Sequence, residues 1–384
     1  MTDLEHILPL WRELESAGAD YVLATVVAVE GSSYRKPGAR MLLAQDGRRA
    51  GTVSGGCLEA EVARRAWWLT ANGPVVERYS TEDDNGERPY GSGCGGVVFL
   101  LLERRETAHP HVVALEQAFN ARTPLAIATI LEGPQIGRRV VAGLPHDSAQ
   151  SDRSEDAVTL AGDFELQDLA ETAHGRRMSM DAKVKLDGVP TRVGVDYRAA
   201  RPGLWIFSAG DDAKPLVQLA RELGWFVAIA DGRSHLATRE RFPAADAVQV
   251  LPISELPDGA AAHFCPLATD AAVVMTHSFE QDSRVLASLL ALDFPLAYLG
   301  ALGPQRRTRE LLSEAARLLH LQATNDRIDK WLAQMHAPTG LDLGSETPAA
   351  VALSILAEIQ QALSAATGLP LRQIRAFGVP VTHG

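Results

Sequence analysis

The chain has 384 residues, of which 46% are hydrophobic and 22% are charged, and its formal net charge is −11. This length predicts two or three domains, and the acidic balance argues against general attraction to nucleic acid or to an anionic membrane surface. Three cysteines without C-x-x-C spacing do not make a disulfide framework, so we expect a reducing cytoplasm. The chain start lacks a secretory pattern and no apolar run approaches about 18 residues, so we expect neither secretion nor a membrane span.

The first half of the chain mixes helix-like and strand-like patterns. Apolar residues at helical spacing predict a helix near the start, kinked or restarted at Pro9. Runs of β-branched residues predict strands, and turn residues separate them. The predicted strands cover residues 21–29, 41–44, 51–53, 97–102, 125–130, 182–186 and 191–197, and the predicted helices cover 59–69 and 111–119.

Two stretches place a cysteine among glycines. Residues 51–59 read GTVSGGCLE and residues 91–96 read GSGCGG. Glycines leave backbone N–H groups uncovered, so each stretch is able to present a thiol and several donors to one ligand. Gly55 and Gly56 precede Cys57, and a predicted helix follows it, which favours a reactive thiolate; a small buried residue in a glycine turn is the alternative. Cys94 precedes a predicted strand instead, so its case as a ligand contact is weaker.

Charged residues surround the first of these stretches. Arg35, Lys36 and Arg40 lie one predicted hairpin away from Cys57 and are candidates to contact the phosphate of a bound cofactor. Sulfur ligands suit soft metal centres, so the Cys57 thiolate is the candidate metal contact of the same ligand. Glu59 is open to two interpretations, a proton acceptor or a favourable acid in the first turn of a helix.

The second half has the pattern of a doubly wound parallel sheet. Short apolar runs alternate with helical segments, and such runs are typical of buried parallel strands. We therefore predict an α/β protein, with an N-terminal mixed α/β domain over residues 1–198 and a C-terminal Rossmann-like domain over 199–384. The predicted strands cover residues 204–208, 226–230, 247–250, 272–276 and 296–299, and the predicted helices cover 215–223, 283–291, 307–319 and a segment from residue 348.

The first strand-to-helix turn of this half partly matches a dinucleotide-binding turn. Gly210 lies in the turn, and Asp231 follows the next strand about 20 residues later, where such folds place the acid that binds ribose. Ser208 replaces the first glycine of the fingerprint. Asp211 and Asp212 occupy the helix start that would receive a pyrophosphate. The alternative is a nucleotide-type scaffold in which these carboxylates merely cap a helix.

A second glycine turn is a better anion site. Gly300, Gly303 and Arg306 belong to the segment 300–308 (GALGPQRRT), in which a turn leads into a helix that starts with arginines. With residues 276–278 and 338–340 it is expected to line one pocket at the switch point of the sheet. A solvated helix face is the alternative for its arginines, and a structural hydrogen bond is the alternative for His277. Cys265, before a proline in an apolar segment, is expected to be buried and inert.

The ordered succession of these motifs resembles the xanthine dehydrogenase accessory factors of the XdhC/CoxI family. The resemblance rests on the following segments: residues 31–43 (GSSYRKPGARMLL), 51–59, 91–96, 209–225 (AGDDAKPLVQLARELGW), 230–233 (ADGR), 298–312 (YLGALGPQRRTRELL) and 338–359 (PTGLDLGSETPAAVALSILAEI). It spans nearly the whole chain and is weakest between about residues 106 and 198.

The resemblance implies a cytoplasmic chaperone that binds molybdenum cofactor and inserts it into a xanthine-dehydrogenase-like apoenzyme. It further implies a homodimer, a cysteine desulfurase as a further candidate partner, and Cys57 as the leading cofactor contact. No Gly-x-Ser-x-Gly or His-Glu-x-x-His motif indicates catalysis, so an accessory factor without turnover is favoured. The alternative function is an NAD(P)-binding oxidoreductase that uses the Asp231 pocket of the C-terminal domain.

Overall fold

A computed structural model describes residues 3–31, 35–56, 58–80, 96–144, 163–186, 188–344 and 346–376. The chain divides into two compact units, Thr2–Arg201 and Pro202–Gly384, each with its own sheets and hydrophobic cores. Among the described residues, no helix is long and apolar enough to cross a membrane. Cys57 and Cys94 lie outside the described residues.

The first unit begins with a five-stranded antiparallel sheet in the order β3-β2-β1-β5-β4. Side chains of successive strand residues point to opposite faces, so each strand contributes to two cores. Met41 packs with Val62 of the second helix on one face, whereas Leu42 packs with Ile7 and Val112 of the first and third helices on the other. The elements are α1 (Asp3–Ser16), β1 (Tyr21–Glu30), β2 (Arg40–Ala44), β3 (Arg49–Gly51), α2 (Glu59–Leu69), β4 (Val75–Ser80), β5 (Val97–Arg104) and α3 (Arg105–Ala121).

A second antiparallel sheet completes this unit, with strand order β7-β6-β9-β8. One helix covers it and buries Leu166, Ala170 and Ala173 against the inward-facing residues of β6 and β9. The elements are β6 (Leu125–Ile130), β7 (Arg139–Ala142), α4 (Asp163–Arg176), β8 (Met180–Leu186) and β9 (Val189–Arg198).

The second unit contains a five-stranded parallel sheet in the order β12-β11-β10-β13-β14. The chain reverses its direction of growth between β10 and β13, so the carboxyl ends of these two strands form the switch point of a doubly wound sheet. The elements are β10 (Gly203–Phe207), α5 (Ala213–Glu222), β11 (Phe226–Asp231), β12 (Ala247–Val250), β13 (Ala271–Val274), α6 (Phe279–Leu290), β14 (Tyr298–Ala301), α7 (Gln305–Leu318), α8 (Asn325–Ala333), α9 (Pro348–Ser364) and α10 (Leu371–Ala376).

The predicted fold class, a mixed α/β unit followed by a Rossmann-like parallel sheet, is confirmed. Three local predictions are wrong in whole or in part. The first helix does not restart at Pro9 but continues through it. The third strand ends at Gly51 rather than continuing to Val53, because Glu59 takes up the backbone N–H of Val53. Cys265 is exposed rather than buried, since it follows the buried Phe264 in an irregular segment where neighbouring side chains face different ways.

Candidate functional site

The loop between β3 and α2 is organised around the carboxylate of Glu59. Its Oε1 accepts hydrogen bonds from the backbone N–H groups of Val53 at 3.2 Å and Ser54 at 2.9 Å, and from the hydroxyl of Thr52. Its Oε2 accepts a hydrogen bond from the Ser54 hydroxyl at 2.6 Å. A single buried side chain in the first turn of α2 therefore holds the start of the loop against the helix.

Ser54 extends this arrangement to both sides of position 57. Its Oγ accepts hydrogen bonds from the N–H groups of Gly56 and Leu58, each at 3.1 Å. Gly56 has φ +112°, a conformation that side-chain-bearing residues rarely adopt. Four backbone donors of the loop are thus used inside the protein and are not available to a ligand.

The environment of Glu59 decides between its two sequence interpretations. Burial alone would raise its pKa, but hydrogen bonds from Ser54 and Thr52 outweigh burial and lower the pKa of Glu59 to about 2. A carboxylate with such a pKa is ionised at neutral pH but is a weaker base than an ordinary glutamate, and its two oxygens already accept four hydrogen bonds. Glu59 therefore acts as the fixed anion that shapes the loop. The predicted helix start is confirmed, since α2 begins at Glu59, two positions after Cys57.

Both arginines predicted to accompany this loop pair with carboxylates of other elements. Arg40 precedes Met41 in β2, so its side chain is on the sheet face opposite to α2, where it contacts His111 of α3. It is buried and forms an ion pair with Asp196 at 2.8 Å. Arg35 lies 3.4 Å from Asp3 of α1. The sequence placed Arg40 near the cysteine loop because β2 and the strand that leads into the loop are neighbours, but strand alternation puts the Arg40 side chain on the face opposite to α2.

In the second unit, nearby side chains also form hydrogen bonds to the backbone of the first strand-to-helix turn. Asp231 is buried, and its carboxylate accepts hydrogen bonds from the N–H of Ala209 at 2.7 Å and from the backbone and guanidinium of Arg233 at 2.6 to 3.0 Å. Burial raises the pKa of Asp231, and the bonds from Arg233 outweigh that effect and lower it. The N–H of Gly210 donates to the Ser208 hydroxyl at 3.1 Å. A ribose hydroxyl would therefore have to displace Arg233.

The switch point brings together the residues predicted to meet there. His277 Nε2 lies 2.9 Å from Asp212 Oδ2, so the turns after β13 and β10 are joined by this pair. The backbone of His277 has φ +62°, and its side chain is 68% exposed. Asp282 accepts hydrogen bonds from Thr276 and, at 2.6 Å, from Arg307.

The glycine turn after β14 lies beside this cluster. A Cβ on Gly300 would lie 2.6 Å from Thr339 Oγ1, so Gly300 is needed for close packing of the segment 338–340. Gly303 has φ +110°. Arg306 is 92% exposed and lies near Glu310, whereas Arg307 is bound to Asp282. The sequence analysis did not identify Asp282 as the partner of Arg307 or Arg233 as the partner of Asp231. Both could have been considered, because each lies a few residues after a predicted strand end and close in sequence to a residue already singled out.

No set of three or more His, Cys, Asp or Glu side chains within the described part of the chain could hold a metal ion. Cys57, the predicted metal contact, lies outside that part, and so does Cys94. Their roles stay predictions.

Segments of both units match known protein families. The profile of the XdhC Rossmann domain matches residues 204–359, and that of the XdhC and CoxI family matches residues 14–80; together they cover more than half of the chain. The fold and its strand-end turns thus define an α/β protein with an XdhC-type Rossmann unit. The chain belongs to the XdhC and CoxI family.

Three similar proteins are informative. A protein of Bacillus subtilis strain 168, named as a probable subunit of xanthine dehydrogenase, is 29% identical over 343 residues, which are 88% of this chain and 92% of that protein. The molybdenum cofactor insertion chaperone PaoD of Escherichia coli K12 is 31% identical over 134 residues, 33% of this chain and 39% of PaoD. The crystal structure of a xanthine dehydrogenase from Bacillus halodurans is 26% identical, with a TM-score of 0.65 over 95% of this chain and 96% of that one.

Proposed function

We propose that this protein binds molybdenum cofactor as cargo and inserts it into a xanthine-dehydrogenase-like apoenzyme. Family membership supports an accessory role, and the name of PaoD supports the cofactor as the cargo. The named xanthine dehydrogenase relative supports the class of the client. An apo molybdenum hydroxylase is the proposed partner.

The observation that carries the proposal is the loop held by Glu59 and Ser54. The amides of Gly56 and Leu58 are both bound to one hydroxyl, so the neighbours of position 57 on either side are fixed. Fixed neighbours reduce the entropy that a ligand contact at this position would cost. A cysteine sulfur is a suitable ligand for a soft metal centre. We assign Cys57 as the contact to the metal end of the cargo.

The loading experiment uses one cysteine as the test and another as the control. The full chain, Cys57→Ala and Cys265→Ala are each purified from cells that make the cofactor, and molybdenum and pterin are measured per protein. Cys265 is exposed in the other unit, so its replacement controls for the loss of a thiol. We expect wild type and Cys265→Ala to load equally and Cys57→Ala to carry at least tenfold less.

Equal loading of wild type and Cys57→Ala would contradict the proposed contact. The insertion step is tested separately, by incubating the loaded protein with an apo molybdenum hydroxylase and measuring the activity that appears. Loading without transfer would leave a cofactor-binding protein and would contradict the chaperone role. A cysteine desulfurase partner and a homodimer are proposals from the family resemblance, tested by co-purification and by light scattering.

The oxidoreductase alternative is less favoured by the second unit. The two oxygens of Asp231 already receive four hydrogen bonds. At the helix start, Lys214 and Arg241 are paired with Asp211 at 2.7 and 2.9 Å, so these cations are already engaged where a pyrophosphate would bind. A fluorescence titration with NADH or NADPH, followed by a turnover assay, tests this alternative. Saturable binding together with turnover would favour the oxidoreductase over the accessory factor.

A further inference from the structure

A cavity of about 250 Å³ lies between the two sheets of the first unit. One wall comes from β1, β2 and β5, and the other comes from β6, β8 and β9. Most of its lining is apolar, with Val29, Leu101, Ile127 and Val195 among its residues. Pockets for drug-sized ligands measure about 300 to 1,000 Å³, so this cavity has the size for a small molecule and is much larger than a single water.

Three residues that line this cavity carry a hydrogen-bond donor without a partner among the described residues: Thr25, Arg40, and His111 at Nδ1. Thr25 and Arg40 face each other in the register of β1 and β2 and both line the cavity. The Thr25 side chain is buried, at 5% exposure, and its hydroxyl finds no hydrogen-bond partner in the described part of the chain; the same holds for Arg40 Nε. The remaining nitrogens of Arg40 are bound to Gly38 O, Asp196 and His111. Buried donors are costly to leave unpaired, so Thr25 and Arg40 call for an acceptor.

The ion pairs around the cavity leave a positive excess. Asp196 is shared by two arginines, Arg40 at 2.8 Å and Arg198 at 3.5 Å. Two further pairs are formed one to one: Arg192 binds Asp181 at 2.7 Å and Arg139 binds Glu103 at 2.6 Å. In these pairs, four guanidinium groups therefore face three carboxylates.

Neighbouring groups act on these charges unequally. The pKa of Arg192 is raised by Asp181, its hydrogen-bond partner, and also by the nearby Glu132 and Glu30. His111, in contrast, supplies no charge beside Arg40. Burial, together with Arg139 and Arg40, lowers the pKa of His111 well below its usual value, so the ring is neutral. Because Arg40 can only donate, the Nε2 of His111 accepts its hydrogen bond at 3.1 Å, and the ring proton sits on Nδ1. Burial and Arg198 lower the pKa of Arg40 to about 10, so it is still charged at neutral pH.

We propose that this cavity binds a small organic monoanion. Its acidic group accepts hydrogen bonds from the Thr25 hydroxyl and Arg40 Nε, and its apolar body packs against Leu101 and Ile127. The negative charge of the ligand is attracted to the Arg40 guanidinium, whose carboxylate partner Asp196 is shared with Arg198, and the surrounding apolar surface selects an acid with a hydrophobic body over an inorganic anion. This site lies on the sheet face opposite to α2 and does not depend on the proposed cofactor role.

The test compares three probes by calorimetric titration of the full chain. Benzoate has the required charge and apolar body, benzamide has the same shape without the charge, and inorganic phosphate has charge without an apolar body. We expect saturable benzoate binding and at least tenfold weaker binding of benzamide and phosphate. No saturable benzoate binding, or equal binding of benzoate and benzamide, would overturn the proposal; phosphate as tight as benzoate would overturn the selection for an apolar body.

Two substitutions of Thr25 separate the effect of its hydroxyl on benzoate binding from the effect of its side-chain packing. Thr25→Val keeps the shape and removes the hydroxyl, whereas Thr25→Ser keeps the hydroxyl. We expect benzoate to bind at least tenfold more weakly to Thr25→Val and within threefold of wild type to Thr25→Ser. Thr191→Val makes the same change outside the cavity and should leave binding unchanged. Equal affinity of wild type and Thr25→Val for benzoate would contradict the assignment of the Thr25 hydroxyl as a donor to the bound acid. Cys57→Ala should bind benzoate normally, so this site and the cofactor proposal fail independently.

Discussion

Glu59 shows how a single carboxylate can hold the conformation of a loop. Its buried carboxylate accepts hydrogen bonds from two backbone amides and two hydroxyls. The hydroxyl of Ser54 in turn accepts hydrogen bonds from the amides of Gly56 and Leu58. Charge-assisted hydrogen bonds of this kind are stronger than neutral ones. The loop around position 57 is therefore defined largely by one residue whose carboxylate is fully occupied inside the protein.

This role of Glu59 predicts a pH-dependent contribution to stability. Its pKa is about 2 in the folded protein against an ordinary 4.5. The contribution should be complete above about pH 4.5 and should disappear as pH falls toward 2. After allowance for solvent screening, we expect Glu59→Gln to lower the free energy of unfolding by about 2 kcal/mol at pH 7. Urea unfolding of both proteins at pH 7, 5 and 3 measures the difference.

Glu61→Gln is the control for this prediction, since Glu61 lies two positions further along α2 and pairs with exposed arginines. Its effect should stay within about 0.5 kcal/mol at every pH. A Glu59→Gln effect that did not shrink between pH 7 and pH 3 would show that lost packing, rather than lost charge, is responsible.

At the scale of single residues, the sequence identified the positions of important charged residues but not the groups that they bind. Glu59, Arg40 and Asp231 all stood out as charged residues near turns. What each one binds depends on side chains brought in from other elements, such as Asp196 for Arg40, 156 positions away. Arg40 illustrates the difference most clearly, because the same residue is a candidate surface cation in the sequence and a buried ion-pair partner in the structure.

At the scale of elements, most strands and helices were predictable from apolar patterns. Predicted helix 59–69 and strand 125–130 match α2 and β6 at both ends. The last strand of the parallel sheet was displaced: residues 296–299 were predicted, but β14 is Tyr298–Ala301. The apolar run begins before the residues that pair with β13, and only pairing decides where the strand starts.

The continuous helix α1 gives a prediction about Pro9. This residue is the seventh of the helix, so its ring removes the N–H that would bind the carbonyl of Glu5. Packing of Ile7, Leu8 and Trp11 holds the helix together despite this loss. Because Pro9 is exposed, Pro9→Ala should restore the bond without losing packing.

We expect Pro9→Ala to raise the free energy of unfolding by about 1 kcal/mol. This is less than the roughly 3 kcal/mol propensity difference, because removing proline also frees the unfolded chain. Urea unfolding measures it, with His6→Ala as the control at an exposed position of the same helix, expected within about 0.5 kcal/mol. A decrease in stability for Pro9→Ala would mean that the ring contributes packing.

At the scale of the whole molecule, each hydrophobic core is built from the residues of one unit. The cores around Ile359 and around Leu311 contain only residues beyond Pro202, and those around Leu115, Val62 and Leu166 contain only residues before it. Loss of packing in one unit should therefore be felt within that unit.

This separation predicts where two core substitutions act. Ile359→Ala and Leu115→Ala each remove fully buried atoms and should cost about 2 to 5 kcal/mol. Hydrogen exchange measured by mass spectrometry should speed up across Pro202–Gly384 in the first variant and across Thr2–Arg201 in the second. Faster exchange across both units in either variant would show that they unfold together.

The sequence by itself determined the fold class, the family and the loop on which the proposed function rests. These follow from local patterns: apolar periodicity, glycines at turns, and the order of short motifs. Only the tertiary structure decided which face Arg40 occupies and that four of the loop's amides are bound to Glu59 and Ser54. It also decided that a cavity lies between the two sheets of the first unit, lined by donors that have no partner in the described part of the chain. Those features depend on side chains from distant segments, and a one-residue change in strand register would reverse the face on which each strand residue lies.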